Sequence, residues 1–193
     1  MNAPWPITKE LVLIGGGHTH ALVLHTWGMK PLAGARLTVI NPGACAPYTG
    51  MLPGFIAGHY SRDELDIDLV RLARFAGARF IDDRAVSIDR AARLITTQSG
   101  RQIAYDVASL DVGITSDMPK LDGFSTHGVP AKPLAVFATK WAQLRDQIAE
   151  GKDVPAIAVI GGGVAGAELA LAMHFSLFTS GRSVPKITLI EYN

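Results

Sequence analysis

The chain has 193 residues, of which 48% are hydrophobic and 18% are charged, and its formal net charge is +1. This length predicts one domain or two small ones, and the near-neutral charge without a basic patch argues against nucleic acid as a partner. The single cysteine, Cys45, leaves no intrachain disulfide and no paired-cysteine redox centre.

The start of the chain and its apolar stretches carry no targeting or membrane signal. Residues 1–10 contain no apolar signal-peptide core. The longest apolar helical stretch, residues 169–178, has about half of the roughly 20 residues that a transmembrane helix needs. We therefore predict a cytoplasmic protein with no transmembrane segment.

The first predicted elements are a strand, a glycine turn, a helix and a second strand. Residues 11–14 form an apolar run typical of a buried parallel strand, and Gly15-Gly16-Gly17 follows at once. Residues 18–29 have the pattern of a helix, and residues 36–40 are β-branched and apolar. This order predicts a βαβ unit with a right-handed crossover.

The middle of the chain changes its pattern twice. Residues 41–58 are rich in Gly and Pro and follow the second strand, so we expect them at the sheet edge where open α/β folds bind ligands. Residues 63–75 have apolar side chains at spacings of three and four, which predicts a helix. From residue 78 the period falls toward two, which predicts an inserted β-meander. Its strand-like segments are residues 80–81, 86–88, 94–97 and 102–105.

The last part of the chain repeats the opening pattern. Residues 107–112 predict a buried strand ending at Gly113, residues 116–133 are irregular, and residues 134–150 predict a helix. Residues 157–190 then repeat strand, glycine turn, helix and strand. The predicted fold is α/β and Rossmann-like, with a parallel sheet, an inserted β-meander and the first βαβ unit of a second Rossmann domain. A lone βαβ unit leaves strand edges unpaired, so we expect a homo-oligomer formed through them.

The first glycine turn has the residues of a dinucleotide site. Gly15 permits the tight turn, Gly17 lets the backbone approach a pyrophosphate, and the helix N-terminus favours the phosphates. His20 stands where a third glycine normally lets helix and strand pack closely, so its side chain must point away or push the helix outward. Asn41 replaces the acid that normally binds the ribose. A tight turn without a ligand is the alternative.

The second glycine turn has the complete motif. Gly161, Gly163 and Gly166 are all present, and Glu191 ends the strand after the helix. A carboxylate there accepts hydrogen bonds from the ribose hydroxyls of NAD and repels the 2′-phosphate of NADP, so NAD is favoured. The alternative for Glu191 is a solvated acid. Glu168, in the first turn of the helix, either favours the helix dipole or faces a redox centre.

The histidines and the cysteine carry weaker signals. His18 and His20 are two residues apart and so do not share a helix face, and no acid or cysteine lies beside them. We therefore predict no metal site. Cys45 lies in the Gly/Pro-rich segment that a flavin or substrate could approach, and the sequence leaves open whether its thiol is inert or reactive.

These motifs resemble those of the two-dinucleotide-binding flavoproteins of the pyridine nucleotide-disulfide oxidoreductase superfamily. Within it the chain is similar to the branch of type II NADH dehydrogenases and sulfide:quinone oxidoreductases. More narrowly, residues 15–20 (GGGHTH), 47–54 (PYTGMLPG) and 57–60 (AGHY) resemble the flavoprotein module associated with selenophosphate synthetase. A histidine at the third glycine position is part of that module's pattern.

The resemblance implies FAD at the first turn and NAD(P)H at the second. Thr49 stands where single-cysteine relatives carry a redox-active cysteine, which argues against disulfide or peroxide chemistry by that route. No catalytic residue is identified, and Thr49 and Glu168 are the side chains expected nearest the flavin. The implied FAD-binding residues are Gly15, Gly17, His18, His20, Asn41, Thr49, Pro53 and Gly113. The implied NAD(P)H-binding residues are Gly161, Gly163, Gly166 and Glu191.

The resemblance also implies an activity and a domain arrangement. We expect an FAD-dependent NAD(P)H oxidoreductase that passes hydride from nicotinamide to flavin and then to a quinone or another small-molecule acceptor. The alternative is a dinucleotide-binding or regulatory module without turnover. The expected domains are 1–133 for FAD, a connecting helix and linker at 134–154, and 155–193 as the start of the NAD(P)H domain. Because the superfamily completes its FAD domain after the NAD domain, we expect these residues to be an N-terminal half with little activity alone.

Overall fold

The chain divides into two compact units. The computed structural model describes residues 6–115, 122–180 and 184–191. By contacts, the first unit consists of Met1–Pro47 and Asp66–Ile114, and the second of Tyr48–Leu65 and Thr115–Asn193. Residues 48–65 therefore group with the second unit, although they fall within the predicted FAD-binding range. Contact units and cofactor domains are different properties, so the predicted domain boundaries stay a prediction.

A parallel sheet of four strands is the centre of the first unit. In chain order its strands are β1 (Lys9–Ile14), β2 (Ala35–Asn41), β5 (Arg79–Asp82) and β9 (Val107–Leu110). They lie in the order β5-β2-β1-β9, and helix α1 (His18–Met29) connects β1 to β2. The predicted Rossmann-like fold class is confirmed. The predicted buried strand 107–112 is two residues shorter and largely exposed, because β9 lies at the edge of the described sheet.

Side chains alternate between the two faces of this sheet. Val12 and Ile14 pack on one face with Ile95 and Ile103, which belong to the meander. Leu13 packs on the opposite face with a second cluster that includes Leu24 of α1 and Ala76. Because both faces of the sheet are covered, β1 and β2 read as continuous apolar runs in the sequence.

The inserted meander is a separate antiparallel sheet of three strands. Its strands are β6 (Ala85–Asp89), β7 (Leu94–Thr97) and β8 (Gln102–Ala104). The segment at 80–81, which we predicted as its first strand, instead pairs in parallel with β2 as β5. The prediction was wrong there because alternation of apolar and polar residues occurs in strands of both sheets and does not indicate which strand is the neighbour.

The predicted helix 63–75 is interrupted. The structure has α3 (Arg62–Leu65), then β4 (Asp66–Asp68), which pairs antiparallel with β3 (Cys45–Pro47), and then α4 (Leu69–Ala76). The Asp68 carboxylate caps α4 by accepting the N–H of Arg71 at 2.8 Å. Leu65 belongs to the core of the second unit, whereas Leu69 lies in the first unit, so one continuous helix could not serve both.

The second unit has an α-helical core beside a two-stranded parallel sheet. Its elements are α2 (Leu52–Ala57), α5 (Phe124–His127), α6 (Leu134–Ala149), β10 (Ile157–Ile160), α7 (Val164–Thr179) and β11 (Ile187–Ile190). Helices α2, α6 and α7 share one buried cluster, in which Trp141 Nε1 donates to the Ile56 carbonyl at 3.1 Å. The predicted second βαβ unit is present as β10–α7–β11. The predicted irregular stretch contains α5, and its residues 116–121 lie outside the described part.

Helix length bears on the membrane prediction. In the described part of the chain, no helix combines the length and apolar character needed to cross a bilayer.

Candidate functional site

The two glycine turns have the same backbone geometry. Gly15 and Gly161 lie at φ +90° and +108°, the left-handed region that favours glycine. Each donates its N–H at 2.8 Å to a carbonyl of the neighbouring parallel strand. Gly17 and Gly163 precede their helices at φ −61°, ψ 168° and φ −63°, ψ 176°. The sequence motif therefore folds twice into one local structure, each time at a helix N-terminus.

The residue at the end of the second strand braces each turn. Asn41 Oδ1 accepts the N–H of Gly16 at 2.8 Å, and the Glu191 carboxylate accepts the N–H of Gly162. The Asn41 amide also donates to the carbonyls of Pro42 and Gly43, and the side chain is buried. Sequence reasoning assigned this position to the ribose of a dinucleotide and missed its second task of holding the turn.

His20 fills the position of the third glycine in the first turn. Its ring is 1% exposed, with Nδ1 2.7 Å from the Gly15 carbonyl oxygen and Nε2 2.9 Å from the Ser109 hydroxyl. A carbonyl only accepts, so Nδ1 carries a proton and donates to Gly15, and Nε2 shares a hydrogen bond with the Ser109 hydroxyl. At the matching position of the second turn, a Cβ on Gly166 would overlap the Gly161 carbonyl oxygen. The expectation that the His20 ring points away is wrong: the ring joins the turn to β9.

An aspartate that the sequence interpretation passed over lies against the first turn. Asp111 Oδ2 accepts the N–H groups of Thr19 and His20 at 3.1 and 3.3 Å, and the Asp111 carbonyl accepts the N–H of Gly17 at 3.2 Å. A Cβ on Gly17 would overlap the Asp111 carboxylate. The available signal was an acid directly after the last strand of the sheet, at the edge where the helix N-terminus also lies.

The space beside the second turn is open. Within the described residues, a Cβ on Gly163 would meet nothing within 4 Å. The first turn of α7 contains no acid, so the prediction that Glu168 lies in that turn is wrong: it is the fifth residue of the helix. Gly166 lets α7 approach the Gly161 carbonyl, as close packing of helix and strand requires. As far as the described residues show, the second turn therefore has the room that a pyrophosphate needs. The first turn has the same backbone, but an acid occupies its amides.

The remaining predicted site residues divide between the two units. Gly113, at φ +72° with open space around it, belongs to the first unit, as does the exposed His18. Thr49 and Pro53 belong to the second unit, and Thr49 Oγ1 accepts from Lys132 Nζ at 3.3 Å. Glu168 is exposed on α7.

The carboxyl groups with lowered pKa values lie outside both turns. Hydrogen bonds from the hydroxyls of Ser99 and Thr97 lower the pKa of Asp83 to about 2. The backbone N–H of Glu10 lowers the pKa of Asp106. Among the described residues, no group of three or more His, Cys, Asp or Glu side chains is placed to hold a metal ion. These acids therefore bear on stability rather than on the candidate site.

Comparison with known proteins extends these observations to the whole chain. A family model described as pyridine nucleotide-disulphide oxidoreductase matches residues 9–193. The sulfide-quinone reductase of Aquifex aeolicus (strain VF5) is 28% identical over 186 residues, covering 91% of this chain and 41% of that protein. The chain thus spans less than half of the length of this relative and of the two solved structures described next.

Solved structures show the same fold. The sulfide:quinone oxidoreductase structure from Aquifex aeolicus aligns with a TM-score of 0.70 at 25% identity, covering 95% of this chain and 43% of that one. NADH:rubredoxin oxidoreductase from Clostridium acetobutylicum aligns with a TM-score of 0.64 at 23% identity, covering 94% and 44%. The family model covers nearly the whole chain, and the paired glycine turns lie within it, so the chain belongs to the pyridine nucleotide-disulphide oxidoreductase family.

Proposed function

We propose that this chain carries the two dinucleotide-binding turns of an FAD-dependent NAD(P)H oxidoreductase. The observation that carries the proposal is the repetition of one turn geometry at Gly15–Gly17 and Gly161–Gly163, each at a helix N-terminus. Membership of the family supports it, because the family's proteins are flavin-dependent oxidoreductases that use a nicotinamide cofactor. These cofactors supply hydride transfer from nicotinamide to flavin, and the protein supplies binding and orientation.

The second turn is assigned to the nicotinamide dinucleotide. The amides at the start of α7 and the open space at Gly163 suit a pyrophosphate. One oxygen of the Glu191 carboxylate accepts the N–H of Gly162, which leaves the other able to accept from a ribose hydroxyl. The negative charge of Glu191 opposes a 2′-phosphate, so NAD is proposed in preference to NADP.

The first turn is assigned to FAD. Gly15, Gly17 and the exposed His18 border its helix N-terminus, and Asn41 and His20 brace it from inside. Thr49 and Pro53 are proposed to flank the isoalloxazine, Gly113 to pass near FAD, and Glu168 to lie at the nicotinamide–flavin junction. We keep 1–133, 134–154 and 155–193 as the proposed FAD domain, linker and NAD(P)H domain.

The final electron acceptor is proposed only as a class. The names of two relatives include a quinone and rubredoxin, so relatives of this fold differ in their acceptors. A quinone or another small molecule is our proposal for this protein, with a location in the cytoplasm. Pairing of open strand edges into a homo-oligomer remains a prediction.

Two matched variants test the assignment of the turns. Gly163→Ala adds a methyl group to open space and so should fold normally, but it occupies the path of a pyrophosphate. Gly17→Ala makes the same change in the first turn, where the added methyl also displaces the Asp111 carboxylate from its place beside the turn. We expect Gly163→Ala to weaken NADH binding at least about tenfold, or ~1.4 kcal/mol, and to retain FAD. Gly17→Ala should do the reverse.

The readouts are flavin absorbance after gel filtration, NADH fluorescence on titration, and anaerobic loss of flavin absorbance when NADH is added. Circular dichroism of each variant checks that it is folded. Failure of the wild-type chain to retain FAD, or equal loss of both ligands in both variants, contradicts the proposal. Binding of both cofactors without flavin reduction would instead support a binding module without turnover.

A further inference from the structure

We propose that Asp111 limits how tightly the first turn holds FAD, because its carboxylate competes with the pyrophosphate for the amides at the start of α1. This inference rests on the proposed function, since it concerns the same FAD site. It assigns to one side chain a control of cofactor affinity. The predicted consequence is a lower affinity for FAD than the same turn would have without this carboxylate.

The contacts of Asp111 occupy the groups that an anion would use. Its Oδ2 accepts the N–H groups of Thr19 and His20, the second and third residues of α1. These belong to the first four amides of a helix, which have no partner within the helix and which bind phosphates in dinucleotide folds. The carboxylate also fills the space beside Gly17, where the motif normally admits the pyrophosphate.

The second turn of the same chain serves as an internal comparison. Its backbone angles and strand hydrogen bonds match those of the first turn. Yet within the described residues the space at Gly163 is open, whereas a Cβ on Gly17 would overlap the Asp111 carboxylate. The glycine motif alone therefore does not require a capping carboxylate. The occupied amides of α1 result from Asp111 itself.

Charge makes the competition stronger than a loss of space. A helix N-terminus carries about half a positive charge, which attracts anions. The full negative charge of the Asp111 carboxylate offsets it and repels a second anion such as a pyrophosphate. A pyrophosphate that reaches the same helix must either meet this carboxylate or displace it from both N–H groups.

The test compares two aspartates at opposite ends of strand β9. Asp111→Asn removes the charge and keeps an oxygen that can accept from α1. Asp106→Asn makes the same change before the strand, about 16 Å away at the rise of an extended chain, where the carboxylate accepts the N–H of Glu10. We would titrate wild type and both variants with FAD, with ADP and with adenosine, following flavin fluorescence and calorimetric heats.

We expect Asp111→Asn to bind FAD and ADP about tenfold more tightly, with adenosine unchanged because it has no phosphate. NADH binding at the second turn should not change, and Asp106→Asn should match wild type for every probe. If Asp111 had a purely structural role, the variant would change the affinities for all three ligands together or for none. The titrations with adenosine detect this case.

Several results would overturn the inference. Equal or weaker binding of FAD and ADP by Asp111→Asn would show that the carboxylate supports the site rather than limiting it. An equal gain in Asp106→Asn would show a general charge effect. Absence of FAD and ADP binding in wild type and in Asp111→Asn also counts against it. Absence of FAD binding thus counts against both proposals. FAD that binds equally well to wild type and Asp111→Asn overturns this inference alone, and FAD that binds but is not reduced by NADH overturns the proposed function alone.

Discussion

Replacing Gly166 by alanine should destabilise the second unit, although alanine is the better helix former. The new Cβ would overlap the Gly161 carbonyl oxygen, a backbone atom that no rotamer change can move. Gly161 is fixed by its φ of +108° and by the N–H bond to β11. Relief therefore requires α7 to move away from β10, which disturbs the packing of Leu169 and Met173 in the core.

The magnitude follows from two opposing terms. Overpacking against a fixed neighbour costs about 1–3 kcal/mol, and the upper end applies here because the neighbour is backbone. Alanine returns about 1 kcal/mol over glycine through helix propensity. We therefore expect Gly166→Ala to lower the free energy of unfolding of the second unit by about 2 kcal/mol.

The assay is urea unfolding followed by tryptophan fluorescence, since Trp141 is buried in the core of this unit. Gly163→Ala is the matched control, because it lies three residues away at ordinary backbone angles and in open space. Its stability should stay within about 0.5 kcal/mol of wild type. If Gly166→Ala is as stable as wild type, or if both variants lose the same stability, the close approach of α7 to its turn does not have the energetic role argued above.

Three further predictions concern single side chains. Thr38→Val should stabilise the first unit by about 1 kcal/mol in urea unfolding, because the fully buried Thr38 hydroxyl has no hydrogen-bond partner within the described residues. Trp141→Phe should cost about 1–3 kcal/mol, since it leaves the Ile56 carbonyl without its donor; an unchanged denaturation midpoint would contradict this. Asp83 has a pKa lowered from 3.8 to about 2, so its ionised form favours the fold above pH 4 and this contribution is lost as the pH falls through 2. Ser99→Ala should raise the pKa of Asp83 toward 3.8 in an NMR titration, and no change would refute the assigned cause.

The sequence pattern was sufficient for the backbone of both turns and poor at naming partners. Apolar strands before glycine triplets predicted β1, β10 and the helices after them, because the geometry of the glycine turn is a local property. The spacing of apolar residues across 63–75 also fitted one helix, yet Leu65 and Leu69 serve different units. Periodicity reports which residues are buried and not which core buries them, so the interruption at β4 had no signal in the spacing.

For the site residues too, the sequence pattern does not identify the contact partners. Asn41 and His20 stand out in the sequence because they depart from a motif. Asn41 was considered only as a ribose ligand, and His20 only as an obstacle to close packing of helix and strand. In the structure, their polar atoms are used by Gly16, Gly15 and Ser109, residues up to 89 positions away. Such contacts depend on which strand lies beside the turn. A motif that covers one strand and one helix does not contain that information.

The difference between the two turns therefore originates in their neighbouring strands rather than in the glycines. β1 lies between β2 and β9, and the end of β9 provides Ser109 for the His20 ring and Asp111 for the α1 amides. Within the described residues, β10 pairs with β11 alone, and the side-chain contact to the second turn comes from Glu191 after β11. Two residues at the end of β9 thus contact the first turn: Ser109 contacts His20, which replaces the third glycine, and Asp111 contacts the N-terminus of α1. A change at Ser109 should consequently alter the first turn through His20 while leaving the Asp111 contacts to α1 in place, which separates the bracing of the turn from its charge.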